Sequence, residues 1–202
     1  MSSLSRGLKL LELKAQEQDK GITFPELLQQ SGFPNSSCYR ILQELMELNY
    51  LQFDAATRRY SLTMKISRIA GPAMKEYDLT KVARPFMEKL FQESRQTCNL
   101  GILGKDSGIF VDVLYATDYG ITLLSAVGHA FPLHCTALGK VLLAHVERDA
   151  RDSLLKEPFA GYTESTILRR DVLEAELEGV LENGYAMEKG ESTRGIECVA
   201  AP

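Results

Sequence analysis

With 202 residues, the chain has the length of one or two domains and enough substance to bury a sizeable core. Hydrophobic residues at 45% and charged residues at 25% are ordinary globular values that exclude wholesale disorder and fibrous repeats. The formal net charge of −4 is unevenly spread, with residues 1–81 summing to +2 and residues 82–202 to −6, which suggests two modules with different partners.

Helical periodicity opens the chain. Leu4, Leu8, Leu11 and Leu13 fall near one face behind Ser5 as N-cap, and Gly21 ends the segment. A second, short helix over 25–31 starts on Thr23-Phe24-Pro25-Glu26, with a Thr cap, a Glu three residues on and a Pro in the first turn, and stops at Gly32. After Phe33-Pro34-Asn35 a third helix carries Cys38, Ile41, Leu42, Leu45 and Met46 at helical spacing. Two short extended runs, 50–53 and 58–62, flank the polar turn 54–57 and predict a β-hairpin. Residues 63–94 read as helix again, broken at Gly71-Pro72 and at Pro85, with Ile66, Ile69, Ala70, Ala73, Met74 and Tyr77 as one stripe. From Cys98 the period becomes extended over 99–103, 109–115 and 121–127, with turns at 105–108 and 117–120. Helices over 137–145, 148–155 and 171–183 follow, and strands over 185–188 and 196–200 close the chain. The fold class is therefore α+β.

Helix, helix, helix and hairpin in the first 62 residues spell a helix-turn-helix with a wing. Such motifs place the N-terminal part of the second helix of the pair in the DNA major groove. Here that surface is Asn35, Ser36, Ser37, Tyr39 and Arg40, opposite the leucines, with Arg58 and Arg59 on the hairpin to grip phosphate or the minor groove. The same residues also suit a solvated helix face capped at Asn35 or Ser36 beside a charged turn. Further on, Thr136-Ala137-Leu138-Gly139 opens a helix whose unpaired backbone amides suit a carboxylate. An ordinary capped helix packed on a sheet has the same pattern.

Cys38, Cys98, Cys135 and Cys198 have no C-x-x-C spacing, which argues against a zinc ribbon or redox dithiol and for reduced, mostly buried thiols. His129, His134 and His145 are too few for a rich metal site. His134, Cys135, Glu188 and Cys198 raise the alternative of a cysteine-dependent enzyme, but no nucleophile elbow, phosphate loop or zinc-ligand spacing supports it. No catalytic residue, metal or cofactor is expected. The N-terminus lacks a basic-then-apolar leader and no apolar run approaches a spanning helix, so the expected location is the cytoplasm.

Three stretches carry a family resemblance: 34–42 (PNSSCYRIL), 132–144 (PLHCTALGKVLLA) and 184–202 (GYAMEKGE through GIECVAAP). Together, and in this order, the chain resembles the IclR family of bacterial transcriptional regulators. The resemblance implies a winged helix-turn-helix DNA-binding domain over 1–62, a linker helix over 63–80 and a GAF-like α+β effector-binding domain over 81–202. It implies binding to double-stranded operator DNA under control of a small organic-acid effector, with self-association as a dimer or tetramer and no membrane. Arg6 and Thr23 join the DNA-binding set on this basis, and Thr136, Ala137, Leu138, Glu188 and Cys198 form the implied effector site. Asn35 stands where the family often has Lys, and Glu188 where it usually has Asp. A protein-interaction module built on the winged helix is the alternative from another class. The chain stops at Cys198-Val199-Ala200-Ala201-Pro202, a strand with no turn, cap or charged tail, so the expectation is a longer natural chain in which a further hairpin completes the sheet and pocket.

Overall fold

The computed structural model describes residues 1–16, 21–76, 79–116 and 125–202, and the chain divides into two compact units, Met1–Asp78 and Leu79–Pro202. The first unit begins with α1 (Ser3–Gln16), β1 (Ile22–Thr23), α2 (Phe24–Ser31) and α3 (Asn35–Glu47). A complete capping box starts α2: Thr23 accepts from the Glu26 amide while the Glu26 carboxylate accepts from the Thr23 amide at 2.7 Å, which holds that carboxyl below its usual range. Gly32, at φ 66, ends the helix in the left-handed conformation and returns its amide to the Leu28 carbonyl. Cys38, Ile41, Leu42 and Leu45 of α3 are buried against Leu10, Ile22 and Leu27, each large side chain stabilising the unit by about 1.5–3 kcal/mol. The hairpin of β2 (Leu51–Asp54) and β3 (Arg59–Leu62) forms as expected. β1 adds to it through Ile22↔Tyr60 in the order β1-β3-β2, a pairing too short for a sequence signal.

Three local expectations are corrected in this unit. The buried face of α1 is Gly7, Leu10, Leu13 and Lys14, whereas Leu4 and Leu8 are 73% and 52% exposed. The helix begins at Ser3, and Ser2 rather than Ser5 plays the cap, its Oγ accepting from the Ser5 amide at 3.1 Å. Gly71-Pro72 does not break the following helix: α4 (Met64–Glu76) runs through both residues, because a proline removes one amide bond while the turns on either side still pair. Ile66 and Ala70 of the predicted stripe are half-buried and Ile69 is exposed; the side chains of residues 73 and 74, and residue 77, lie outside the described residues.

The second unit opens with α5 (Leu79–Ser94), which likewise continues through Pro85. It packs on β4 (Cys98–Leu103) and β5 (Gly108–Leu114), with Arg84 donating to Asp112 at 2.8 Å. The two strands pair antiparallel, and their register slips between Leu100 and Gly101, leaving Val111 unmatched. Most of the predicted strand 121–127 and the turn 117–120 lie outside the described residues. Residues 125–127 are not strand, and β6 (Ala130–Phe131) instead pairs with β5. Then come α6 (Ala137–Ala144), α7 (Arg148–Leu154) and α8 (Arg170–Asn183), followed by the hairpin of β7 (Ala186–Lys189) and β8 (Glu197–Ala200). The centre of this unit is α6, which packs against α8, β7 and β8 on one side and reaches β4 and β5 on the other. Close approach at its start requires Gly139: a Cβ there would lie 2.3 Å from the Leu133 carbonyl oxygen. No helix of the described residues is long and apolar enough to cross a membrane.

Candidate DNA interface and effector site

The short turn between α2 and α3 fixes which face of α3 the first unit presents. With its apolar positions inside, Asn35, Ser36, Tyr39 and Arg40 stand exposed near the helix start. Ser37 is half-buried because Arg6 reaches it from α1: Nη1 donates to Ser37 Oγ at 2.9 Å, and the guanidinium lies 5.7 Å over the Phe33 ring. Arg6 therefore braces α1 against the start of α3. Arg40 pairs with Glu44 at 3.0 Å, with both side chains about half exposed or more; such a pair is worth little in water, so the guanidinium is free to exchange Glu44 for phosphate or a base edge. Tyr39 meets Phe24 edge-on at 6.2 Å.

Of the hairpin arginines, Arg58 is exposed at φ 54 beside the turn, whereas Arg59 Nη1 donates to the Gly21 carbonyl at 2.8 Å and lies 3.6 Å from Glu26. Arg59 thus ties β3 to the region before α2. The hydroxyl of Thr23 is engaged in the α2 capping box.

In the second unit, Thr136 caps α6. Its Oγ1 accepts from the Gly139 amide at 3.1 Å and donates to the Pro132 carbonyl at 2.6 Å. The amides of Ala137 and Leu138, in the first turn, have no carbonyl four residues back inside the helix and mark its positive end. Ala137 is buried and Leu138 half-buried. Glu188 and Cys198 face each other across the β7–β8 ladder. Glu188 is 1% exposed, and its Oε1 accepts from the amides of Glu191 at 2.6 Å and Ser192 at 3.0 Å, pinning the loop between the strands. Cys198 keeps an exposed edge, yet local desolvation of its sulfur and the Glu188 carboxylate push the thiol up to about 11. Cys135, fully buried beside the cap, is pushed up to about 12 by burial and then by Glu191 and Glu188. Burial and the neighbouring carboxylates thus favour the neutral thiol at both positions. His134 stacks on Phe159 and engages the Ala160 carbonyl at 2.9 Å.

Two residues that sequence reasoning missed hold this site together. Lys140 is fully buried, and its ammonium donates to Glu176 at 2.6 Å, Glu191 at 2.6 Å and the Met187 carbonyl at 3.3 Å. Glu191 is 7% exposed; burial raises its carboxyl pKa, with Lys140 opposing. Its backbone carbonyl also accepts from Thr166 at 2.7 Å. The available signal was a single charge inside the apolar helix ALGKVLLA, since a lysine there must find a buried partner.

Comparison with known proteins covers both units. Residues 3–55 match the family model of the IclR helix-turn-helix domain, and residues 71–202 match that of the bacterial transcriptional regulator IclR C-terminal domain. The HTH-type transcriptional regulator KdgR of Escherichia coli (strain K12) is 32% identical over 100% of this chain, which spans 76% of that protein. Among solved structures, the IclR transcriptional regulator from Alicyclobacillus acidocaldarius superposes with a TM-score of 0.80 at 25% identity, over 99% of this chain and 80% of that one. An IclR homolog from Microbacterium hydrocarbonoxydans, complexed with 4-hydroxybenzoate, gives a TM-score of 0.80 at 24% identity, over 100% of this chain and 82% of that one.

Proposed function

The chain belongs to the IclR family of bacterial transcriptional regulators, and on that premise we propose which surfaces perform the regulation. Residues 1–62 form the DNA-binding head, 63–80 the linker and 81–202 the effector-binding domain. Asn35, Ser36, Tyr39 and Arg40 enter the major groove, Arg58 holds the adjoining backbone from the wing, and Arg6 with Ser37 sets the angle of α3. Arg59 and Thr23 act through the fold, because their polar groups are already engaged. The observation that carries this reading is the polar, exposed first turns of α3, held by a buried leucine face and braced from behind by Arg6.

A small organic acid binds at the start of α6, its carboxylate on the Ala137 and Leu138 amides, beside Glu188 and Cys198. A carboxylate is also what the homolog holding 4-hydroxybenzoate contains. Operators with two-fold symmetry need two heads. Leu4 and Leu8, adjacent on α1 and exposed, supply an apolar strip for a second copy. Effector control requires the acid to favour one arrangement of the paired heads over another, since equal affinity for both shifts nothing.

The experiment is a thermal-shift and calorimetric screen of small carboxylic acids, run on the wild-type chain and on Ala137→Phe, which fills the space beside the α6 amides. Loss of acid binding with operator binding retained is the expected result. Full acid binding by Ala137→Phe would move the pocket elsewhere.

A further inference from the structure

Three consecutive backbone carbonyls at the end of α3 receive their hydrogens from the start of α4. A Schellman arrangement closes α3: Asn49, at φ 60, returns its amide to the Met46 carbonyl, and the Tyr50 amide reaches the Leu45 carbonyl, each at 2.8 Å. The Leu48 and Asn49 carbonyls beyond take donors from outside the helix. Lys65 Nζ donates to Leu48 at 2.8 Å and lies 4.3 Å over the Tyr50 ring. The Thr63 hydroxyl donates to Asn49, and the Thr63 amide donates to the Tyr50 carbonyl at 3.0 Å. A cation suits this place, because the C-terminal end of a helix carries partial negative charge.

The same two residues shape the beginning of α4. Thr63 Oγ1 accepts from the Lys65 amide at 3.2 Å, and the Thr63 carbonyl accepts from the Ile66 amide at 3.2 Å, so Thr63 serves as the N-cap. Thr63 thus belongs to both helix ends, and Lys65 bridges them. Among the described residues no helix or strand packs extensively on α4, so its direction relative to α3 depends on these bonds. A two-headed protein gains affinity from its second head only when that head is held where its half-site lies, and a loose joint lowers the effective concentration.

We propose that Thr63 and Lys65 are positioning residues for operator recognition: they fix the reading helix α3 to the linker helix α4, so that the linker holds two heads at the spacing of two half-sites. This rests on the two-headed reading above and adds the joint through which linker and reading helix move as one. Neither residue belongs to the proposed DNA-contacting set.

The test titrates the full chain against an operator selected from random duplexes and against the same duplex with one half-site scrambled, read by fluorescence anisotropy. Lys65→Met removes the ammonium and keeps the stem; Thr63→Val removes the hydroxyl at nearly constant shape, and carries the test if the other fails to fold. Each variant is expected to bind the whole operator at least ~10-fold more weakly while keeping the half-site duplex within ~2-fold. Melting temperatures should stay within about 5 °C of wild type. Lys65→Arg, which returns a cation to the end of α3, is expected to restore most of the whole-operator affinity. A folded variant that binds the whole operator like wild type overturns the role of its residue, and two such variants overturn the inference. Equal losses on both duplexes overturn it as well: a lost phosphate contact would also lower the salt slope by about one, and a weakened fold would lower the melting temperature. A wild type that binds the whole operator no more tightly than the scrambled duplex overturns the two-headed reading and this inference with it.

Discussion

Replacing Lys140 by methionine removes the one cation from a buried cluster and leaves the hydrocarbon of the helix in place. Glu191 then keeps a buried carboxylate with no counter-charge, whereas Glu176, 46% exposed on its side chain, relaxes into water and contributes little. Breaking one side of a buried pair costs about 3–5 kcal/mol, a large share of the ~5–15 kcal/mol that holds a typical domain. For a unit of this size that is a fall in melting temperature on the order of 10–20 °C. The loss also has a sign in pH. Burial already raises the Glu191 pKa above its ordinary value, and Lys140 is the main influence opposing the rise. A carboxyl whose folded pKa exceeds its unfolded one stabilises the fold at acid pH, and that contribution disappears as pH rises through the folded value. Without Lys140 the folded pKa climbs further, so the deficit of Lys140→Met should be small near about pH 5 and grow toward about pH 8. Adding Glu191→Leu should recover most of the stability, because an apolar pair of similar volume replaces a buried ionic one at little cost. Urea denaturation followed by far-ultraviolet circular dichroism across this range measures all three proteins. A Lys140→Met deficit under ~1 kcal/mol, or one independent of pH, would refute the reasoning.

At the DNA face, Arg40→Ala should weaken binding to an operator selected from random duplexes by about 1–3 kcal/mol, and Arg58→Ala should lower the salt slope by about one; fluorescence anisotropy over a salt series reads both, and unchanged curves in both variants would exclude this surface. Gly139→Ala should destabilise the second unit by about 1–3 kcal/mol or more, since its Cβ would meet the Leu133 backbone rather than a side chain that can move; a wild-type melting curve would contradict the described packing. Cys198 is accessible but its thiol lies near 11, so iodoacetamide at about pH 7.5 should modify it far more slowly than an ordinary exposed cysteine. Labelling that speeds up steeply only above about pH 10 fits this account, and rapid labelling near neutrality, read by mass spectrometry, does not.

Local rules made the first unit legible. The capping box at Thr23, the left-handed Gly32 and the 38-41-42-45 spacing each fix structure within a few residues of themselves, and each is found where the residues suggest. The same rules mislead where two local patterns compete. In α1 the predicted stripe 4-8-11-13 and the buried set 7-10-13-14 share only Leu13, and packing against α2, α3 and β3 selects the second for burial. Prolines 72 and 85 carry a real local penalty that a helix with enough other bonds tolerates. Arg58 and Arg59 are neighbours in sequence and equal as charges. Strand pairing sends one into the fold and leaves the other at the turn.

The second unit inverts that balance, and the inversion explains why its motif was readable and its wall was not. Thr136-Ala137-Leu138-Gly139 announces a capped helix start because a cap is a contact of three residues. The groups that surround the helix are held over long separations: Lys140 reaches Glu176 across 36 positions and Glu191 across 51. Gly101 of β4 meets Leu138 only through the sheet register. No periodicity encodes those distances. What the sequence does carry is the imbalance they resolve, a lysine alone in an apolar helix and a downstream hairpin with Glu188 and Glu191 three residues apart. One ammonium has too few protons for the carboxylate oxygens of Glu176, Glu188 and Glu191. Loop amides satisfy Glu188, solvent covers part of Glu176, and Lys140 takes one oxygen of Glu191. The other oxygen of Glu191 is left without a hydrogen-bond partner among the described residues.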